Sequence, residues 1–267
     1  NAGCASAAAS MAFVASAGPR FRTRAISAPV AGSVTGKVSL DVTQSAPIRA
    51  EVGYFGGATF MALMVLVAYT RAMRDRTGNQ PPLPDIFPDQ LAPVARTSRD
   101  GVREILNMRW GFPPPPDGKR PVTNIRNLKS SFWRTWMKPD NRCLVPATSF
   151  CEYTDTSPKV AHWFALSDER PLFAFAGLWR PWRGVRGKED GEHLLFAFLT
   201  TDANELVRPI HAKAMPVILT GDEIDTWLSA PDDEAMALAK PYPAERMKIV
   251  LSGSRADDGG SGGGTLI

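Results

Sequence analysis

The feature that most constrains the fold is a series of apolar segments separated by short turns in the second half of the chain. Strand candidates lie at residues 160–166, 173–179 and 193–201, and a turn-rich segment (167–170) and a basic loop (182–188) separate them. Strands joined by short turns favour antiparallel pairing, because parallel neighbours need long crossover connections. The pattern therefore predicts an α+β fold that is mainly an antiparallel, barrel-like β-sheet with a few peripheral helices.

Other segments add strands and short helices to this sheet. Residues 104–112 alternate like a strand, and residues 247–251 are predicted to form the last strand. The spacing of Thr220 and Glu223 is that of a capping box, which predicts a helix beginning there. A short aromatic-rich helix is predicted at residues 130–138, and residues 80–93 are predicted to be a proline-rich, extended connector.

Composition divides the chain into three parts. Residues 1–59 are rich in Ala, Ser and Gly and have no sustained periodicity, so we expect a poorly structured or non-native N-terminal extension. Residues 60–251 are predicted to form a single domain, and residues 252–267 a flexible Gly/Ser-rich tail.

An uncharged run at residues 52–70 is the one segment that approaches the length of a membrane span. Three glycines weaken its first half, and charges appear at helical spacing after its end. A helix from about Phe60 to Thr77 with one buried face therefore fits better than a span, and we expect no membrane association.

The charge balance and the cysteines limit the classes of function. Lys and Arg number 31 against 27 Asp and Glu, which gives a formal net charge of +4 and a mild preference for anionic partners. The cysteines are Cys4, Cys143 and Cys151, and their irregular spacing matches neither a disulfide framework nor a zinc site. We expect a reducing compartment, no metal and no cofactor.

The segment at residues 141–153 contains the most informative polar residue. Two strand pieces are predicted here, with a kink at Pro146, and Glu152 lies between Cys151 and Tyr153 in the second piece. A carboxylate in such an aromatic strand either alternates out to solvent or faces a cavity. In an apolar cavity its pKa would rise far enough for general acid or base chemistry.

Polar residues interrupt apolar runs at three more places, and each has an ordinary structural explanation. Trp110 is typical of a core, Asn124 of a turn, and Arg126 of a solvated surface. His211 follows Pro209 and Ile210 and fits a structural, hydrogen-bonding histidine as well as a catalyst.

Taken together and in this order, these segments resemble the SRAP family (SOS-response-associated peptidase), whose members process abasic sites in DNA. The matching motifs are Trp-Gly before a proline-rich turn (residues 110–113), Asn-x-Arg (124–126), Arg-Cys-Leu-x-Pro with a following aromatic strand that contains a Glu (142–146 and 150–153), Ala-Gly-Leu-Trp (176–179), Thr-Thr (200–201) and His-x-Arg-Met-Pro (211–216). The resemblance covers about residues 68–250, and its ordered set of motifs is more specific than any one motif.

The resemblance implies binding of single-stranded DNA and a covalent thiazolidine DNA–protein crosslink at abasic sites in the DNA damage (SOS) response. Associated peptidase and lyase activities are implied as well. The implied partner is single-stranded DNA with abasic sites, and the protein is expected to be a monomer. The implied location is a bacterial-type cytoplasm, with association to the nucleoid when DNA is bound.

The resemblance also implies three catalytic residues. Glu152 would accept and return protons during addition of an amine, for which its pKa must lie near the working pH. His211 would protonate the opened sugar oxygen or assist departure of the phosphate. Asn124 would orient the nucleophile through its side-chain amide.

Three further residues are expected to bind DNA. Arg126 and Lys213 would contact the phosphates that flank the lesion, and Trp110 would offer a face for base stacking. The chain departs from the family at Lys213, where the family has Arg, and in the additional Ala214 before the Met-Pro pair. Since Lys lacks the planar guanidinium fork, we expect a looser phosphate contact there.

A larger departure concerns the nucleophile. In the family it is the Cys after the initiator Met, because only an N-terminal Cys offers both the amine and the thiol that close a thiazolidine ring. The chain has no Cys between Cys4 and Cys143. We expect a wrong start or a shifted frame upstream of about residue 68, and an intact transcript that encodes the first 67 residues as written would contradict this expectation.

Two other functions stay open at this point. One is a non-catalytic single-stranded DNA binding module. The other is a cysteine hydrolase that uses Cys151 with His211. Because Cys151 and Glu152 are adjacent in a predicted strand, their side chains should point to opposite faces, and only one of them can line a shared pocket.

Overall fold

Strands dominate the part of the chain that the computed structural model describes, which is residues 66–78, 86–114 and 121–253, together with the backbone of residues 10–12. The strands are β1 (Ser10–Ala12), β2 (Arg74–Asp75), β3 (Leu91–Thr97), β4 (Arg103–Trp110), β5 (Asn124–Ile125), β6 (Arg142–Ala147), β7 (Ser149–Tyr153), β8 (Ala161–Ala165), β9 (Phe173–Arg186), β10 (Glu189–Thr201), β11 (Met215–Pro216), β12 (Ile218–Leu219) and β13 (Lys248–Ser252). The helices are α1 (residues 66–70), α2 (Ser131–Arg134), α3 (Glu223–Ser229) and α4 (Asp232–Met236), with 3₁₀ turns at Pro139–Asn141 and Ala244–Arg246.

Five strands close into a barrel in the order β10, β4, β3, β6, β9, because β9 also pairs with β10. Every neighbouring pair in this ring is antiparallel except β4 with β10. The long hairpin of β9 and β10 keeps its register from Arg186 opposite Glu189 to Gly177 opposite Phe198. The antiparallel, barrel-like sheet with peripheral helices that the sequence predicts is therefore confirmed.

A second sheet of four strands, in the order β1, β7, β8, β13, lies next to the barrel. The chain passes from β6 in the barrel directly to β7 in this sheet through Thr148. In the β7–β8 pairing, Glu152 lies opposite His162 and Cys151 opposite Trp163. Because successive side chains of a strand point to opposite faces, Cys151 and Glu152 lie on opposite sides of this sheet.

Alternate residues of the barrel strands fill two apolar cores. On β9, Phe173 and Phe175 belong to one core with Trp110, whereas Ala174 and Ala176 belong to the core that α3 covers. The aromatic rings of the first core are in close contact, as the 5.0 Å between the centroids of Phe175 and Phe198 illustrates. The helix predicted from the capping box is confirmed as α3, in which Ile224, Trp227 and Leu228 are all buried.

The predicted helix from Phe60 to Thr77 is wrong in its C-terminal part. The helix ends at Thr70, whose hydroxyl donates to the Leu66 carbonyl at 2.8 Å, and Arg71 then has a positive φ of 55°. Arg74–Asp75 pairs with β4 instead of continuing a helix. Residues 60–65 lie outside the described part of the chain. No described helix is long and apolar enough to cross a membrane.

Three strand predictions also need correction. The predicted kink at Pro146 is absent, because β6 runs through it. At that position β6 pairs only with β9, so no second neighbour needs the missing N–H. The predicted loop at residues 182–188 is mostly strand and only its tip turns. Strand β3 begins inside the predicted connector at Leu91. The expectations for residues 1–9, 13–59 and 254–267 lie outside the described residues.

Candidate functional site

Glu152 is a buried carboxyl group near the end of β7. Its side chain lies on the same face as Phe150, two positions earlier, and that residue packs in the main core. Only 5% of Glu152 is exposed, and burial raises its pKa from 4.5 to about 8. The carboxyl group is therefore protonated at neutral pH and close to its titration midpoint, which suits a group that both donates and accepts a proton.

His211 lies opposite this carboxyl group. Its Nδ1 is 3.9 Å from Glu152 Oε2 and is buried without a hydrogen-bond partner among the described residues. The turn before it is fixed by Asn204, whose Oδ1 accepts hydrogen bonds from the backbone amides of Leu206 and Val207. Burial lowers the pKa of His211, so the imidazole is neutral at neutral pH.

Asn124 contributes a second unpartnered polar atom. It begins β5, which pairs parallel with β10 at Phe198. Its Oδ1 is buried, and none of the described residues donates a hydrogen bond to it. Buried polar atoms are nearly always paired, so an unpaired amide oxygen marks a place where a ligand can supply the missing partner.

Arg126 connects β5 to the segment that contains His211. Its guanidinium donates one hydrogen bond to the Lys213 backbone carbonyl and another, of 2.9 Å, to Asp202 Oδ1. The side chains of Arg126 and Lys213 are exposed. These contacts bring β5 beside residues 211–213, and hence beside Glu152. The two cations lie on the solvent side of the buried pair.

Three residues near the site were missed by the sequence analysis. Asp155 and Lys159, in the loop after β7, act on the pKa of His211 in opposite directions, and Asp202 binds Arg126. Asp202 directly follows the Thr-Thr motif, so its position along the chain could have revealed it. Nothing in the sequence indicates that Asp155 and Lys159 lie near His211, because that proximity depends on the packing of two sheets.

The structure corrects the role that the sequence predicted for Trp110. The ring is 0% exposed, its Nε1 donates to the Thr123 carbonyl at 3.1 Å, and its centroid lies 5.3 Å from that of Phe198. The expectation that Trp110 offers a stacking face to a DNA base is wrong, since both faces are enclosed by the core. Its alternation on β4 directs it into the barrel, and that alternation outweighs the motif as a guide to its role.

Neither described cysteine reaches His211. Cys151 is fully buried on the other face of β7, where it packs with Ala161 and Trp163. Cys143 is also fully buried, and burial raises the pKa of its thiol far above the ordinary range. A thiolate that attacks a substrate must be ionised and accessible, so this geometry does not support a hydrolase that pairs Cys151 with His211. In the described ranges, no three His, Cys, Asp or Glu side chains form a metal-binding cluster.

Comparisons with known proteins show what this chain is similar to. The family model described as SOS response associated peptidase (SRAP) matches residues 58–252. The chain is 34% identical over 160 residues to the abasic site processing protein YoqW of Bacillus subtilis, covering 56% of this chain and 70% of that protein. For YobE of the same organism, also named an abasic site processing protein, the identity is 33% over 162 residues, covering 56% and 71%. A crystal structure of a Bordetella bronchiseptica protein superposes with a TM-score of 0.57 at 25% identity, covering 72% of this chain and 94% of that one.

Proposed function

The chain belongs to the SOS response associated peptidase (SRAP) family, and from that premise we propose that it processes abasic sites in single-stranded DNA. Two relatives are named abasic site processing proteins. The observation that supports the proposal best is the pair formed by buried Glu152 and half-buried His211, in which both side chains are neutral near pH 7. Such a pair can exchange protons with an uncharged substrate without first burying a charge.

The reaction proposed for the site is addition of an amine to the aldehyde of an opened abasic sugar. The amine nitrogen bonds to the aldehyde carbon, and loss of water from the adduct gives a Schiff base. Protonated Glu152 donates the proton that the departing hydroxyl needs, and the resulting carboxylate takes a proton from the nitrogen. A neighbouring thiol then adds across the C=N bond: its sulfur bonds to the same carbon and its proton passes to the nitrogen, giving a five-membered thiazolidine ring in which no oxidation or reduction has occurred.

The resemblance to the family implies that one N-terminal cysteine supplies both the amine and the thiol. Cys143 and Cys151 cannot do so, since their nitrogens are in peptide bonds and their side chains are buried. The covalent step is therefore proposed for a form of the protein with a cysteine at a free N-terminus beside Glu152. Asn124 would orient that residue through its free Oδ1, which can accept a hydrogen bond from the N–H of the attacking amino group.

Substrate binding is proposed to depend on Arg126 and Lys213. Both are exposed cations next to His211, where phosphates on either side of the lesion would lie. Arg126 already bonds Asp202 and the Lys213 carbonyl, so its role is partly to hold the segment with His211 in place. Peptidase and lyase activities would use the same Glu152–His211 pair to move protons.

The test is a denaturing gel of the protein with an oligonucleotide that carries one abasic site. Two forms are compared, the chain as written and a form with Met-Cys placed ahead of residue 68. The Met-Cys form should give a heat-stable shifted band, and Glu152→Gln in that form should slow its appearance about 100-fold, a typical size for loss of a general acid or base. Circular dichroism should show that this isosteric variant is folded.

Two results would alter the proposal. Salt-sensitive retention on a native gel with no covalent band from either form would indicate the non-catalytic single-stranded DNA binding module. A covalent band that is equally fast in Glu152→Gln would contradict the role of Glu152 as the proton donor and acceptor.

A further inference from the structure

Lys159 lies on a short loop that begins immediately after β7, the strand that contains Glu152. This β7–β8 loop (residues 154–160) leaves β7 after Glu152 and Tyr153 and returns to β8 just before His162, which pairs with Glu152. Both ends of the loop are therefore fixed beside the Glu152–His211 pair. In agreement with that placement, the charges of Asp155 and Lys159 act on the pKa of His211 in opposite directions.

The β7–β8 loop is held in one conformation by its own hydrogen bonds. The backbone amide of Thr154 donates to the Val160 carbonyl at 2.9 Å, and the amide of Val160 donates to Thr154 Oγ1 at 2.9 Å. Thr156 Oγ1 donates to the Pro158 carbonyl at 2.9 Å. Side chains on such a loop lose less conformational freedom on binding than those on an unconstrained loop, so their contacts contribute more to affinity.

The cations around His211 differ in how free they are. Arg126 is engaged by Asp202 and the Lys213 carbonyl. Lys159 and Lys213 are exposed, and neither forms an ion pair within the described ranges. They come from different elements, one from the β7–β8 loop and the other from the segment after His211. Two free ammonium groups near one imidazole can contact phosphates of a single strand that crosses the pair.

We propose that Lys159 contacts a backbone phosphate of the bound DNA strand, so that the β7–β8 loop forms a wall of the groove that Arg126 and Lys213 also line. This inference rests on the proposed function, since it identifies a further binding residue of the same site. Lys159 is a positioning residue: it holds the strand over Glu152 and His211 and takes no part in the chemistry. The negative charge of Asp155, on the same loop, repels the phosphate and lowers the affinity for DNA.

The experiment measures the salt dependence of non-covalent binding. The probe is a fluorescent single-stranded oligonucleotide with a tetrahydrofuran abasic analogue, which lacks the aldehyde. For each phosphate that a variant no longer neutralises, the slope of log K against log salt concentration should decrease by roughly 0.7. Lys159→Gln should show that decrease and weaker binding at low salt, while Asp155→Asn should bind more tightly than the wild type.

The matched control is Lys248→Gln. Its ammonium group is paired with Asp168, and it lies opposite Ala165 at the far end of β8 from His162, so this variant should keep the wild-type slope. A wild-type slope in Lys159→Gln, with a reduced slope in Lys213→Gln, would overturn the inference and leave the proposed function intact. Absence of salt-sensitive binding by the wild type would overturn both. Thermal unfolding of each variant checks that the exposed substitutions leave the fold unchanged.

Discussion

Two buried glutamates, Glu104 on β4 and Glu152 on β7, have opposite surroundings. The side chain of Glu104 is 1% exposed, and Arg96, Arg74 and Arg76 approach its carboxylate at 2.8, 3.5 and 3.6 Å. Glu152 is buried to a similar extent, and among the described residues its only ion-pair candidate is the neutral His211, 3.9 Å away.

This difference in surroundings distinguishes a carboxylate that joins strands, Glu104, from a carboxyl group for which we propose proton transfer, Glu152. The arginines around Glu104 compensate its charge, and its carboxylate joins β2, β3 and β4 through these ion pairs. No cation compensates Glu152, so burial raises its pKa to about 8 and leaves it ready to exchange a proton. The degree of compensation, and not burial alone, therefore distinguishes the glutamate for which we propose proton transfer.

The largest expected effect follows from removing the compensated carboxylate. Glu104→Gln leaves Arg96, which is 13% exposed, without its carboxylate partner, and should lower the free energy of unfolding by about 3 kcal/mol. Glu152→Gln replaces a neutral acid by an amide of the same shape and should change it by less than about 1 kcal/mol at pH 4.5, where the carboxyl group is still protonated in the folded state. Urea denaturation of both variants makes the comparison, and equal losses would remove the distinction between the two sites.

The pH dependence of stability sharpens the same comparison. The pKa of Glu152 is about 8 in the folded protein and 4.5 as its ordinary value, so the folded state binds the extra proton between these limits. This contribution to stability is complete below about pH 4.5 and is lost as the pH rises towards 8. The free energy of unfolding should fall by roughly 1 kcal/mol per pH unit in this window.

Glu152→Gln is the control for that profile. The difference in unfolding free energy between the wild type and Glu152→Gln should change steadily from pH 5 to 8 and become constant above about pH 9. A constant difference over the whole range would mean that Glu152 titrates normally.

The smallest effect is expected one position along the same strand. Cys151→Ala removes one buried atom on the face that packs against Trp163 and should cost roughly 1 kcal/mol of stability. Because that face is opposite to Glu152, the yield of covalent adduct from the Met-Cys form should be unchanged. Loss of adduct in a folded Cys151→Ala protein would indicate that the two faces of β7 do not have separate roles.

The sequence identifies Glu152 and His211 as candidates, and the structure places them 3.9 Å apart, but the sequence cannot distinguish Glu152 from Glu104. Both glutamates occur in apolar strand patterns, and the arginines that compensate Glu104 come from residues 74, 76 and 96, so only the folded sheet brings them together. Motif order brings Glu152 and His211 together because the resemblance to the family includes both segments. It fails for Trp110, where strand alternation sends the ring into the core.

The strand boundaries that were missed have local causes. Strand β3 was missed because it contains Pro93, and proline is depleted in strands. Pro93 is tolerated because β3 pairs there with β4, and its second neighbour, β6, pairs only further along, at Ala95 and Arg96. Charged and glycine residues conceal the outer part of the β9–β10 hairpin. There, pairing is supported by contacts such as Trp182 with His193, whose ring centroids are 5.9 Å apart.

A direct titration of the Glu152 carboxyl group tests whether Glu152 is a buried acid without a compensating cation. Infrared difference spectra of the wild type against Glu152→Gln, recorded from pH 4 to 10, isolate the band of the protonated carboxyl group. If burial raises the pKa of Glu152, this band is present at pH 7 and disappears with a midpoint near pH 8. A band that disappears near pH 4.5 would contradict it, because Glu152 would then be an ordinary ionised carboxylate at neutral pH.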